Sequence, residues 1–357
     1  MRTLKRYIGR DVLFATLLVF GGLIALFAFF DLIHELGDVG RGDYTISRAL
    51  LYVTLHLPSR LYELFPVAAL IGTLFAIAQL VANSEYTVMR ASGMSLARVA
   101  WSVLRVVLPL AAATFLAGEY VAPPAERLAQ TVRNAGESRV VAQQFASGFW
   151  FKQDLTFVNI RTVLADMTLS GIRMYEFGDD LRLKAVRVAQ SGVFVGNGQW
   201  KLLNVRSTEI GIDATKVTAV PEFLWSTVLR PSILNVYQVA PERLELGTLY
   251  DNIRVLGNNS QKTSRFEIAF WNKVFYPLAV LVMMVLALPF AHFQRRQGGI
   301  GFRIFVGTMI GLSFFLLGRL FSNLGVLNDW PPLFSAIFPL AMFTALAMAM
   351  LWYIERR

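Results

Sequence analysis

The sequence predicts an α-helical membrane protein with six transmembrane helices and a small all-β domain inserted between the third and fourth helices. Hydrophobic residues make up 55% of the 357 residues and charged residues only 16%, against roughly 45–50% and about 25% in soluble domains. The apolar residues are concentrated in long runs that flank a segment of different pattern. This composition excludes a disordered chain, a collagen-like repeat and an ordinary cytosolic enzyme.

Three apolar runs precede residue 125 and predict the first three spans, since a span needs about 20 mostly apolar residues. The first run follows a basic start, as a cleaved signal peptide would. Its length and the lack of an A-x-A-like site before Asp31 favour a retained helix. Pro58 and Pro66 are expected to kink the second helix. The runs are Val12–Phe30, Leu64–Val81 with a weaker helical pattern from Arg48, and Val106–Ala117, which can extend over Leu96–Val121.

Three further runs predict the last three spans: Val274–Phe293, Ile304–Leu317 and Leu333–Ile354. Lys and Arg are concentrated in the short loops on one side of the six spans, and this excess marks the cytoplasmic side. Both termini are therefore expected inside and the insert outside. The net charge of +10 is explained by this topology, and nucleic-acid binding is not expected.

The insert has the alternating pattern of an antiparallel β domain. The expected order is helices one to three over 1–124, the β domain over 125–265 and helices four to six over 266–357. Gly192–Val205 is expected to form a hairpin over a Gly-Asn-Gly turn. Strands are predicted at Leu155–Arg161, Ile172–Phe177, Lys184–Ala189, Val193–Val195 and Trp200–Val205. Their faces are expected to bury a core, although an acyl chain or an edge-docked β protein is an alternative.

Enzymatic motifs are scarce. The chain has no Cys, and it has no Gly-Lys dipeptide, so it cannot carry a P-loop. If ATP drives this protein, a partner must bind the ATP and its Mg²⁺. His34, His56 and His292 are far apart in the sequence and are expected to be satisfied or solvated at the membrane interfaces. No catalytic, metal or cofactor site is predicted within this chain.

The few charges near the spans fall toward their predicted outer ends: Arg60, Glu63, Glu119, Lys273 and Arg319. Internal ion coupling is disfavoured, because a coupled transporter would place Asp, Glu or His in the middle of the membrane. Two interpretations of these charges stay open. They are snorkelling structural charges, or they rim a cavity for a charged lipid headgroup.

A short amphipathic helix is predicted in the cytoplasmic loop at about residues 83–95. Asn83 or Ser84 is expected to cap it, and Glu85 in the first turn is expected to interact favourably with the helix dipole. Gly93 is expected to end it, and Ser95 to cap the following helix. Tyr86, Met89 and Arg90 lie at helical spacing on one side. The helix is either an interfacial turn or a knob that fits a groove on a cytoplasmic ATPase, with Glu85 available for an ion pair there.

Several stretches resemble the LptF/LptG family of permeases, which form part of the ABC exporter that extracts lipopolysaccharide from the bacterial inner membrane. The similarity covers the whole chain and is greater to the G type than to the F type. The most specific stretch is Ser84–Gly93, which reads SEYTVMRASG. The others are Leu4–Gly9 (LKRYIG), Leu64–Gly72 (LFPVAALIG), Gly118–Pro123 (GEYVAP) and Phe270–Pro277 (FWNKVFYP).

The resemblance implies a periplasmic β-jellyroll and a heterodimer with a second, LptF-like permease. It also implies a dimer of an LptB-like cytoplasmic ATPase, docked on the coupling helix through Glu85, Tyr86, Met89 and Arg90. Lipopolysaccharide would enter a cavity between the two permeases through a lateral gate involving the first and fifth spans. The jellyroll would pass it to an LptC/LptA-like periplasmic bridge.

One departure concerns the outer end of the first helix, where some relatives carry basic residues. Here Asp31, Glu35 and Asp38 occupy that stretch, with only Arg41 nearby. Headgroup phosphates would then depend on a rim of Arg41, Arg60, Arg133 and Arg319, or on a divalent cation bound to the carboxylates. The alternative function is a mechanotransmission ABC subunit that transmits force and carries no lipid.

Overall fold

The computed structural model describes residues 2–40, 43–137, 149–164, 168–196, 198–211, 214–227, 229, 240–258, 261–291 and 300–356. The helices are α1 Arg2–Leu36, α2 Ile46–Ala82, α3 Glu85–Ala91, α4 Leu96–Leu116, α5 Ala122–Glu137, α6 Leu246–Asn258, α7 Ser264–Ala287, α8 Ile300–Leu327 and α9 Pro332–Glu355. A π-helical turn, Ala117–Val121, joins α4 to α5. Short 3-10 turns lie at Pro241–Arg243 and Leu288–Ala291.

Six helical spans of the described chain are long and apolar enough to cross a membrane, as predicted. They are α1, α2, the joined α4–α5 helix, α7, α8 and α9. The third span continues through residue 125, where the β domain was expected to begin, and ends only at Glu137. The polar residues of α5 favoured the prediction of a soluble segment, yet the apolar side of α5 packs on α2.

Helix α2 forms the centre of the bundle, because most of its residues are buried and it packs against α1, α5, α7 and α8. Glycines allow α1 and α8 to approach α2 closely. A Cβ atom on Gly72 of α2 would overlap the Cα atom of Thr16 in α1. Gly307 and Gly311 of α8 likewise meet Leu74 and Val67 of α2. This small-xxx-small spacing brings two helix backbones together within a membrane.

The inserted domain is a six-stranded antiparallel sheet. Its strands are β1 Phe149–Gln153, β2 Thr156–Val163, β3 Leu169–Phe177, β4 Leu183–Gly196, β5 Gln199–Ile210 and β6 Thr215–Ser226. They pair in sequential order, a meander, and no crossover of the kind found in jelly rolls occurs among these described strands. The predicted β4–β5 hairpin is confirmed, with positive φ angles at Gly196 and Gly198. The sequence patterns did not predict β1 and β6.

One face of the sheet carries the core of the domain, confirming the expected burial. The side chains of Trp200 and Trp225 are paired across β5 and β6 and buried there. The indole nitrogen of Trp200 donates to the carbonyl of Leu229 at 2.7 Å. This bond satisfies the polar end of a fully buried indole, which would otherwise be costly to bury.

Replacing Gly72 by alanine tests the α1–α2 contact. We expect the Gly72→Ala variant to lose about 1–3 kcal/mol of stability, because its methyl group would overlap the Thr16 backbone. Gly21 of α1 has no atom within 4 Å of a Cβ position, so Gly21→Ala is the matched control. Thermal unfolding in detergent, followed by tryptophan fluorescence, compares the two variants, and equal midpoints would contradict the contact.

Candidate functional sites at the two ends of the bundle

The predicted amphipathic helix is present as α3, at the end of the bundle opposite the β domain. It ends as expected at Gly93, whose φ is +82°, and the Met94 amide donates to the Met89 carbonyl at 3.1 Å. These are features of a Schellman cap. Ser84 occupies the N-cap position with φ +61°, and the Asn83 side chain donates to Glu85 at 3.4 Å. Ser95 lies at the N-cap of α4, but its side chain makes no capping hydrogen bond.

The two faces of α3 have different surroundings. Tyr86 and Met89 are only 6% and 5% exposed and pack in one apolar cluster with residues of α1 and α4. They hold the helix on the bundle, which the spacing alone did not reveal. Val88 is 66% exposed, and Glu85 is partly exposed. The side chain of Arg90 lies outside the described residues. Sequence patterns did not single out Val88, because an exposed valine departs from the amphipathic pattern in which apolar residues face the core.

At the β-domain side of the bundle, Arg133 of α5 is bound to the end of α1. Its guanidinium lies 3.1 Å from Asp38 and 3.5 Å from Glu35. Glu35 is buried and also accepts a hydrogen bond from the Tyr44 hydroxyl at 2.7 Å. Burial, followed by the Glu35 hydrogen bond, raises the pKa of Tyr44. Arg133 also stacks on the ring of Tyr52.

A second set of ion pairs crosses from α1 to α8. Arg60 of α2 forms a bidentate pair with Asp31 of α1, with N–O distances of 2.6 and 2.8 Å. Another nitrogen of Arg60 lies 2.9 Å from one carboxylate oxygen of Glu63. The second oxygen of Glu63 lies 2.9 Å from Arg319 of α8. The order Asp31, Arg60, Glu63, Arg319 therefore joins α1, α2 and α8 by alternating charges.

The structure thus places Arg60, Arg133 and Arg319 of the expected rim at one side of the bundle, and divides them between two networks. Arg41 lies outside the described residues. Asp31, Glu35 and Asp38, which were the alternative ligands of a divalent cation, have guanidinium partners at Arg60 and Arg133. In the described part of the chain, no group of three or more metal-binding side chains is found.

A third network holds residues 240–246, the segment that returns from the β domain. Sequence patterns did not predict the central residue of this network. Glu126 of α5 is completely buried and contacts His56 at 2.8 Å and Ser59 at 3.1 Å, both on α2. Its other oxygen lies 2.7 Å from Arg243 in the returning segment. Glu126 seemed to belong to the soluble insert, so its sequence position gave no sign of this role.

The π-helical turn supplies a second attachment for the same segment. Glu119 accepts a hydrogen bond from the Leu246 amide at 2.8 Å and forms an ion pair of 2.8 Å with buried Lys273 of α7. The Lys273 ammonium also donates to the carbonyls of Leu244 and Gly118. Glu119 and Glu126 together fix residues 243–246 against α5 and α7.

Comparisons with known proteins identify the family of the chain. Residues 6–353 match the family model described as lipopolysaccharide export system permease LptF/LptG. The chain is 32% identical to the lipopolysaccharide export system permease protein LptG of Escherichia coli K12, over 99% of this chain and 98% of that protein. It is also 32% identical to the LptG protein of Haemophilus influenzae, over 100% of this chain and 99% of the relative.

Replacing Glu126 tests the attachment of the returning segment. We expect Glu126→Ala to destabilise the protein by about 3–5 kcal/mol, since it leaves buried His56 and half-buried Arg243 without their shared partner. Glu222→Ala removes one member of an exposed ion pair with Lys201 and should cost about 1 kcal/mol or less. Unfolding in detergent provides the measurement. Equal losses for the two variants would show that Glu126 does not anchor this segment.

Proposed function

The chain belongs to the lipopolysaccharide export permease family LptF/LptG, and on that premise we propose that it extracts lipopolysaccharide from the bacterial inner membrane as one permease subunit of an ABC transporter. The observation that carries this proposal is the family match over residues 6–353, which includes both the six spans and the inserted β domain. The G-type relatives at 32% identity indicate which of the two permease types this chain corresponds to.

The proposed complex contains a second, LptF-like permease and a dimer of an LptB-like ATPase on the cytoplasmic side. The excess of Lys and Arg in the short loops supports cytoplasmic termini and a periplasmic β domain. Because the sequence cannot form a P-loop, ATP and Mg²⁺ would be bound by the ATPase. The β domain would pass the lipid to an LptC/LptA-like bridge.

Helix α3 is the proposed contact with the ATPase. A groove on the ATPase would receive the exposed side that carries Val88 and Glu85, while buried Tyr86 and Met89 hold the helix on the bundle. Their apolar cluster includes Ile8 of α1 and Val103 of α4. A push on α3 would therefore move the inner ends of these spans with it. Displaced spans would narrow the cavity between the two permeases and expel the lipid toward the β domain.

Arg60 and Arg133 are proposed to bind the phosphates of the lipid headgroup. Both arginines hold carboxylates of α1 in the structure, so phosphate would compete with Asp31 and Asp38 for the same guanidinium groups. Phosphate and carboxylate present similar bidentate acceptors to arginine. Headgroup binding would then loosen the end of α1, the helix that borders the entry gate according to the resemblance.

Co-purification in mild detergent tests the complex and the role of α3. The unmodified chain is expected to retain a soluble ATPase and a second six-span permease. Val88→Asp should reduce ATPase recovery about tenfold without lowering the unfolding temperature, because a charge would enter the apolar contact at an exposed position. Val217→Asp, at a 61% exposed valine of β6, is the matched control. Recovery of the chain without any ATP-binding partner would refute the proposed function.

Asp38→Asn distinguishes direct arginine binding from binding through a divalent cation. If phosphate displaces Asp38 from Arg133, this variant should lower the lipid concentration that half-saturates ATP hydrolysis, by up to about fivefold for a pair worth about 1 kcal/mol. If Asp38 holds a bridging cation, the same variant should raise that concentration. Asp43→Asn in the same loop is the control. The measurement is lipid-stimulated ATPase activity of the purified complex at fixed Mg²⁺.

A further inference from the structure

A partly open cleft of about 500 Å³ lies within this single chain, on the β-domain side. Its walls come from α2, α7, α8 and α9, with Gly118 of the π-helical turn and part of the returning segment closing one end. Pockets of about 300–1,000 Å³ are the usual size for small-molecule ligands. The cleft is therefore large enough for part of one lipid, and too small for a glycolipid with many acyl chains.

The lining of the cleft changes from polar to apolar with depth. Near the β-domain ends of the helices the lining residues are Glu63, Glu242, Asn272, Arg319 and Ser322. One or two helical turns further into the bundle they are Pro66, Phe275, Phe314, Pro339 and Leu340. A water-soluble metabolite would not need such a deep apolar end. A molecule with a charged head and a hydrocarbon tail matches both halves.

The charges at the mouth have both signs. The Arg319 side chain is 64% exposed and uses one nitrogen on Glu63, so further donors face the cleft mouth or solvent. Arginine binds phosphate oxygens in the same geometry as carboxylates. Glu242 adds an exposed carboxylate to the same lining, which suits a cationic group. Lys273 also lines the cleft, but its ammonium is occupied by Glu119 and two carbonyls.

We propose that this cleft binds one molecule of a zwitterionic glycerophospholipid of the phosphatidylethanolamine class. The phosphate would lie at Arg319, the ammonium group at Glu242, and one acyl chain along Phe275 and Phe314. The site goes beyond the proposed export function, because its ligand is a membrane phospholipid and not the exported glycolipid. A purely anionic phospholipid would bring no positive group to Glu242 and is expected to bind less well.

The position of the cleft gives such a lipid a structural consequence. Both α7 and α8 line the cleft, and α8 is the least buried of the six spans. A lipid in the cleft would fill the gap beside α8 and hold it against α2. Since a ligand that binds only the folded state stabilises that state, a bound phospholipid should raise the unfolding temperature.

The test blocks the cleft by substitution. Gly318 lines the cleft, and a Cβ atom there would meet nothing within 4 Å, so Gly318→Phe places a ring in the cleft without a backbone clash. Gly301 lies on the same helix, is equally open and does not line the cleft, so Gly301→Phe is the matched control. Native mass spectrometry of the full complex, exchanged into micelles containing phosphatidylethanolamine or phosphatidylglycerol, counts the retained lipids.

We expect the unmodified complex and Gly301→Phe to retain about one more phosphatidylethanolamine than Gly318→Phe, as one site of this size allows. Glu242→Gln should reduce the preference for phosphatidylethanolamine over phosphatidylglycerol about threefold or more, as expected for loss of one exposed charge contact. Equal retention by both phenylalanine variants, or loss of bound lipopolysaccharide in place of phosphatidylethanolamine from Gly318→Phe, would overturn the proposal. Lipid-stimulated ATP hydrolysis, measured separately, reports whether the export function itself has failed.

Discussion

Burying a charge inside a membrane protein is costly unless an opposite charge or several hydrogen bonds compensate it, and this requirement shapes the β-domain side of the bundle. Glu126 and Lys273 are both buried, and each binds groups from at least two other parts of the chain. Displacing the returning segment would take Arg243 away from Glu126 and the Leu244 carbonyl away from Lys273. The attachment of this segment to the spans therefore contributes to compensating both buried charges.

The same requirement bears on how the acidic end of α1 could accommodate an anionic lipid. Asp31, Glu35 and Asp38 compensate the charges of Arg60 and Arg133. In the proposed exchange, a phosphate would take the place of a carboxylate at the guanidinium group and would free the end of α1 at the same time. Lipid binding and loosening of the helix would then be two results of one exchange.

Local sequence patterns predicted the features that depend on neighbouring residues: the six spans, the β4–β5 hairpin and the short helix ended by Gly93. They did not predict the role of Glu126, because His56 lies 70 positions and Arg243 lies 117 positions away in the sequence. The β6 strand was not predicted because nearly all of its side chains are exposed. It therefore lacks the alternation of apolar and polar residues that marks a half-buried strand. The spacing of Tyr86 and Met89 predicted a common face on α3, but packing against α1 and α4 decides that this face is buried.

The central position of α2 limits how force could pass between the two ends of the molecule. Most of α2 is buried and packed on four neighbours, with close glycine contacts to α1 and α8, so shifting α2 would disturb most of the core. Helices α1 and α8 are far less buried, and each is tied to α2 on the β-domain side by the Asp31–Arg60–Glu63–Arg319 charges. Any movement of α1 or α8 would therefore take place against α2, at the glycine contacts and at these charges. A change of ion-pair partner at Arg60 or Glu63 would affect both α1 and α8, because these two residues link Asp31 of α1 to Arg319 of α8.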